Sequence, residues 1–135
     1  MDEAFYLPTA DPTVFIGTEA TGGPWDPTLQ HGGPPSAMLA RASELTPASW
    51  PGTVVRVAVE ILGPVPVGEV TVTAEAVRTG RSVELIESEL VAGGRPAARA
   101  RAWRIRSALD LDLPDTVPAP DPAPAMPDGE DTPPW

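Results

Sequence analysis

From Thr53 to Arg106 the chain keeps a spacing of two between most of its apolar residues. That period is the one of an extended chain, whose side chains alternate between two faces. In "TVVRVAVEIL", Val55, Val57, Val59 and Ile61 fall on one face, with Arg56, Ala58 and Glu60 on the other. In "VTVTAEAV", Val70, Val72, Ala74 and Ala76 alternate with Thr71, Thr73 and Glu75. "AARARAWRI" sets Ala98, Ala100 and Ala102 against Arg99, Arg101 and Trp103, while "VELIESELVA" is a long strand of ambiguous inner face, as a bulge would leave it. "GPVPVGE", "RTGRS" and "GGRP" interrupt these runs as turns. Upstream, "TVFIGTEA" (13–20) reads as a short first strand.

One stretch departs from the period. Residues 34–45 read as a helix with Ala37, Met38, Ala42 and Leu45 near one face and Arg41 and Glu44 outward. Pro34 and Pro35 stand at its front, where absent N–H donors cost nothing, and "TPASWPG" ends it. One early helix followed by about four strands predicts an α+β fold, the helix packed on a face of an antiparallel sheet. The small residues of the helix and of the last strand allow close approach.

The 135 residues suit one domain, spanning 1–108. Residues 109–135 are rich in proline and acid and read as a linker or tail without a fold of its own. Seven of the ten excess negative charges lie there, with no basic residue after Arg106. Such a balance argues against nucleic acid as a partner, since that needs cations to displace counterions. No run is long enough to span a bilayer. The absence of cysteine excludes disulfides and thiolate metal sites, one histidine builds no zinc site, and no signal peptide is visible; a cytoplasmic location is expected. Trp135 after the proline-rich stretch suggests the front part of a longer protein.

The chain's only histidine, His31, precedes Gly32 and Gly33 in "LQHGGPPSAMLARA", directly before the helix. A helix N-terminus offers unpaired N–H groups and a positive dipole end, which stabilise an oxyanion as it forms. Pro34 and Pro35 donate nothing, so the choice narrows to the glycine pair, and Gly33 adjoins the helix. His31 suits orienting a carbonyl or a water. Gln30 and Ser36 can assist by hydrogen bonding or serve simply as loop and cap residues. A capped loop that needs flexible glycines accounts for the same residues without any chemistry.

Two stretches, "GPWDPTLQHGGPPSAMLARA" and "VRTGRSVELIESELVAGGRPAARARAWR", resemble the N-terminal half of the double-hotdog acyl-CoA thioesterases, the thioesterase II-like family. The resemblance implies a hotdog fold, a central helix wrapped by a curved antiparallel sheet. It implies hydrolysis of fatty acyl-CoA to free acid and CoA, without a cofactor or a metal. The thioester carbonyl would lie at Gly33, beside His31, with Gly32, Gln30, Ser36 and Asp26 lining the substrate and Arg78 and Arg81 meeting CoA phosphates. It also implies a second hotdog half, in a longer chain or by pairing of copies, because the family's Asp, Gln and hydroxyl come from that half. Many single-hotdog thioesterases carry an acid on the helix where this chain has Ala40; Glu44 lies one turn further on. Two other readings remain. One is a pairing module without catalysis. The other is an (R)-specific enoyl-CoA hydratase, whose acid and base are five positions apart as Asp26 and His31 are, although Thr28-Leu29 replaces its Asn-Pro.

Overall fold

The computed structural model describes residues 4–107. In chain order it contains β1 (Tyr6–Pro8), β2 (Val14–Gly17), a 3-10 turn (Glu19–Thr21), α1 (Gly33–Leu45), β3 (Gly52–Ile61), β4 (Gly68–Thr79), β5 (Val83–Ala92) and β6 (Arg95–Arg106). All six strands join one antiparallel sheet in the spatial order β1-β2-β4-β5-β6-β3. α1 packs on one face of it, giving the α+β arrangement that the periodicity predicts. The connection between β5 and β6 is the pair Gly93-Gly94, both at positive φ (56° and 74°). A two-residue hairpin of this hand requires that conformation, and glycine reaches it without strain. Among the described residues no helix is long and apolar enough to cross a membrane.

The core lies between α1 and the inner sheet face. Leu39, Leu90, Ala98 and Ala102 are fully buried there, with Met38, Val70, Val72 and Ala100 nearly so. On β6 three alanines face the helix and keep the surface low, as the small residues of that strand predict. On β5 the inner face is Glu84, Ile86, Ser88, Leu90 and Ala92, so a strand of ambiguous pattern turns out to bury two polar residues. Ser88 is accommodated because its hydroxyl donates to the Leu39 carbonyl and accepts from the Ser43 hydroxyl, both at 3.3 Å.

Four sequence expectations need correction. The first strand ends at Gly17, because Glu19–Thr21 winds into a 3-10 turn, and β1 pairs along β2 where no strand was expected. The buried stripe of α1 is Pro34, Pro35, Met38, Leu39 and Ser43; Ala37 is exposed and Leu45 is 63% exposed. The prolines rather than Ala37 cover the sheet at the helix start. The face of β3 is broken by a register shift between Val54 and Arg56, which turns Val55 outward while Val57 and Val59 reach the core. Ile61, at the strand end, is 55% exposed.

Arg104 continues the inward row of Ala98, Ala100 and Ala102, yet it is buried. Its Nη1 donates to Glu84 Oε2 at 2.8 Å, and its Nη2 donates to the carbonyls of Ser43 (2.8 Å), Glu44 (3.3 Å) and Thr46 (2.7 Å). Those are the carbonyls of the last turn of α1 and of its C-cap Thr46, which have no partner within a helix. A cation there also meets the negative end of the helix dipole. Thr79 Oγ1 donates to the other oxygen of Glu84 at 3.3 Å. Arg104→Met leaves a buried carboxylate without its cation, and a loss of about 3–5 kcal/mol in unfolding free energy is expected from urea denaturation. Glu84→Gln, which keeps a hydrogen-bonding oxygen, loses less.

Candidate functional site

The segment before α1 forms a closed loop. Gly22 and Gln30 bridge its base, where Gly23 N–H donates to the Leu29 carbonyl (2.7 Å) and His31 N–H to that of Thr21 (2.9 Å). At its tip Asp26 accepts hydrogen bonds from the Thr28 hydroxyl (2.6 Å) and the Thr28 N–H (2.8 Å). Those two bonds, the side-chain one first, hold the fully exposed Asp26 carboxyl below the usual carboxylate range. Its acceptors thus serve its own turn, and no hydrogen bond joins it to His31 among the described residues. Trp25 beside it is 93% exposed.

A shelf formed by "VPV" (65–67) holds the loop against the sheet. Gln30 N–H donates to the Val65 carbonyl and Val67 N–H to the Thr28 carbonyl, both at 2.8 Å. Gln30 occupies both ends of its side-chain amide: Nε2 donates to the Pro66 carbonyl at 2.9 Å, and Oε1 accepts from the Tyr6 hydroxyl at 2.5 Å. Nε2 also packs on Gly17, where a Cβ would come within 2.6 Å of it. Through Gln30, β1, β2 and the β3–β4 connection converge on the residue before His31.

His31 is half-buried, and its ring lies edge-on to Phe5 with centroids 6.2 Å apart and planes at 80°. Its Nδ1 accepts a long hydrogen bond, 3.3 Å, from Gly33 N–H. An accepting Nδ1 carries no proton, so the neutral ring has its proton on Nε2. A Cβ at Gly33 would lie 2.9 Å from Cε1 of that ring, and one at Gly32 would lie 3.2 Å from Ile61 Cδ1. Ser36 turns back on the loop: its hydroxyl (2.6 Å) and its N–H (3.3 Å) both donate to the Gly32 carbonyl. With Pro34 and Pro35 lacking donors, the N–H groups left at the helix start are those of Gly32 and Gly33. Beside them Phe5, Tyr6, Pro34, Ala37, Met38 and Arg41 line a hollow of about 130 Å³.

The fold therefore gathers Gln30, His31, Gly32, Gly33 and Ser36 at one end of α1. Arg78, at the end of β4, and Arg81, in the following turn, lie at the other end, where Trp50 Nε1 donates to the Gly80 carbonyl after α1 has ended. Thirteen helical residues separate the two ends by about 20 Å. Ala40 is half-buried and Glu44 exposed. Phe5 and Tyr6 are the residues of this region that the periodicity misses; the apolar run "FYL" near the start of the chain is their only signal. Among the described residues no three histidine, aspartate or glutamate side chains come together to hold a metal ion.

Residues 21–105 match the model of a family described as the acyl-CoA thioesterase N-terminal domain. A search of curated proteins finds no match. Among solved structures, the chain resembles a phenylacetic acid degradation-related protein from Ralstonia eutropha JMP134 (TM-score 0.60, 23% identity), which covers 68% of this chain and 72% of that one. A Bacillus halodurans protein solved with CoA has a TM-score of 0.58 and 15% identity over 68% of each chain. A protein of hot dog fold from Alicyclobacillus acidocaldarius aligns with 93% of this chain but 45% of its own (TM-score 0.58, 20% identity). At these identities the likeness speaks for the fold, which is the hotdog arrangement.

Tyr6 is the chain's only tyrosine, and burial pushes its hydroxyl well above the ordinary 10.0. The folded state thus favours the protonated phenol. That contribution is complete below pH 10 and is lost as rising pH ionises the phenol in the unfolded chain first. Tyrosinate absorbance should accordingly appear only well above pH 10 and together with unfolding. Tyr6→Phe should remove the alkaline slope and lower stability at neutral pH by about 1–3 kcal/mol, since Gln30 Oε1 loses its donor.

Proposed function

The chain belongs to the acyl-CoA thioesterase N-terminal domain family, and from that premise we propose that it hydrolyses fatty acyl-CoA thioesters together with a second hotdog half. The observation carrying this reading is the junction of His31 with Gly33, where the N–H at the helix start and the imidazole meet within 3.3 Å. On this reading the thioester carbonyl displaces the weak Nδ1 contact and takes the N–H of Gly33, with that of Gly32 beside it. His31 donates from Nε2 to the carbonyl oxygen or to the attacking water. Water adds to the carbonyl carbon, the C–S bond breaks, and the thiolate of CoA takes up a proton as the free acid leaves. The hollow lined by Phe5, Ala37 and Met38 receives the first carbons of the acyl chain.

Two observations support the need for a second half. No carboxylate of α1 faces the His31–Gly33 end, since Ala40 is where one would stand and Glu44 is exposed a turn beyond. β3 is a ten-residue edge strand, paired only with β6 among the described residues. Such an edge offers a row of unpaired backbone groups to a neighbouring strand. The same geometry leaves Asp26 bonded to Thr28, which weighs against a hydratase.

The purified chain, alone and joined to any sequence that follows it in its gene, is to be given saturated and trans-2-enoyl-CoA. Release of free thiol, read without background because the chain has no cysteine, is the expected result. Loss of enoyl absorbance without thiol points to a hydratase, and neither signal points to a pairing module. In the active form Gly33→Ala keeps the N–H but sets a Cβ 2.9 Å from Cε1 of the His31 ring, where the carbonyl has to approach, and should lower kcat/KM. Its melting temperature should hold or rise, because alanine suits a helix and only the swing of the His31 ring is required.

A further inference from the structure

The sheet face that α1 does not cover is divided in two. Its middle is charged: Arg99 pairs with Glu89 at 2.7 Å and Arg101 with Glu87 at 2.8 Å. Its far end is apolar. Register sets Arg56, Trp103, Leu85 and Arg78 side by side across β3, β6, β5 and β4, and Ile105 opposite Val83 at the next level. The register shifts in β3 and β4 fall at Val55 and Val77, which are 56% and 45% exposed beside this row; Ile105 is 46% exposed. Arg56 and Arg78 flank the patch, while Arg81 stands at its end, where β4 turns. All three are exposed and make no salt bridge among the described residues.

An apolar patch ringed by unpaired guanidinium groups selects a ligand that is apolar and acidic at once. A second copy docked symmetrically over Trp103 sets the arginine ring against itself, which is repulsive. The chain carries a segment of the required chemistry. "LDLDLPD", residues 109–115, begins three positions after Arg106 and alternates Leu109, Leu111 and Leu113 with Asp110 and Asp112, followed by Asp115. Alternation in an extended segment puts leucines to one side and aspartates to the other. Tethering so close to the patch supplies an effective concentration in the millimolar range.

We propose that residues 109–115 dock on this face, leucines over Trp103, Leu85 and Ile105 and aspartates toward Arg56, Arg78 and Arg81. The proposal is independent of the thioesterase reading, and it gives Arg78 and Arg81 a partner other than coenzyme phosphates. Because the chain lacks cysteine, Ala119→Cys places a single nitroxide label on the full chain. Amide signals of residues 55–56, 77–78, 83–85 and 103–106 are expected to be broadened several-fold more than those of the Glu69–Thr73 stretch. The effect should fade in about 0.5 M salt, where screening lengths fall to a few ångström, and in the Arg56→Glu/Arg78→Glu variant. Broadening that is even over the surface, or that salt and the charge reversals leave unchanged, overturns the proposal. So does broadening that passes from labelled to unlabelled molecules in a mixed sample, which identifies a second copy as the occupant.

Discussion

The position of α1 depends on a single buried cation. Arg104 reaches from the sheet to three carbonyls at the end of the helix while its other nitrogen holds Glu84, and both side chains are under 5% exposed. No glycine closes this helix; Thr46 at its C-cap is extended. The guanidinium therefore takes the place of a C-terminal cap and ties the helix axis to β5 and β6 at once. Burying two charges is costly unless every donor and acceptor is used. Here Thr79 and the helix carbonyls use them, so the pair acts as a latch with one geometry rather than as a source of net stability. Because α1 is a rigid rod, fixing its last turn also fixes where its first turn points.

The opposite end is held by different means. At the front of α1 two prolines remove donors, and their rings fill the space over the sheet as buried residues. What remains polar there is the Gly32–Gly33 backbone, with His31 folded onto it. The loop leading in is fastened by the backbone to the shelf at 65–67 and by Gln30 to Tyr6 and Pro66. A donor pair useful against a developing oxyanion must be in place beforehand, since reorganisation during reaction forfeits its advantage. The glycines contribute closeness rather than mobility: neither Gly32 nor Gly33 has a positive φ, and Gly33 is small because the imidazole lies against it.

Much of this was legible in the sequence. Period-two spacing from Thr53 to Arg106 marked all four long strands, and the proline pair marked the start of the helix. Periodicity failed where chemistry overrode it. Glu84 and Arg104 carry formal charges, which ordinarily mark surface positions, although Arg104 is in step with Ala98, Ala100 and Ala102. Val55 keeps the spacing of Val57 and Val59 yet faces outward, because the register shift between Val54 and Arg56 makes it the extra residue of a bulge, and no residue type announces a bulge. The region before Thr13 gives no strand signal, because the three residues of β1 are too few to show a period. That His31, Gly32, Gly33, Gln30 and Ser36 are neighbours follows from sequence adjacency alone. That Gln30 spends its amide on Tyr6 and Pro66 could not be read, because those partners are 24 and 36 residues away.

The two faces of the sheet obey different constraints, and this bears on how such a domain works with others. The inner face must accept a helix, so it is lined with alanine and closed by the latch. The outer face need only remain soluble, yet it is charged in the middle and apolar at the end. The paired charges Arg99–Glu89 and Arg101–Glu87 satisfy one another across neighbouring strands and leave little unspent for a partner. The arginines around Trp103 have no such partners among the described residues, and that contrast directs an acidic ligand to the end of the face rather than to its centre. If the edge of β3 receives a second half, as the proposed function has it, the site end of the domain and its Trp103 end serve separate contacts. Catalysis then depends on what joins at β3, while the Trp103 face is free to bind the chain's own acidic segment without obstructing the approach to Gly33.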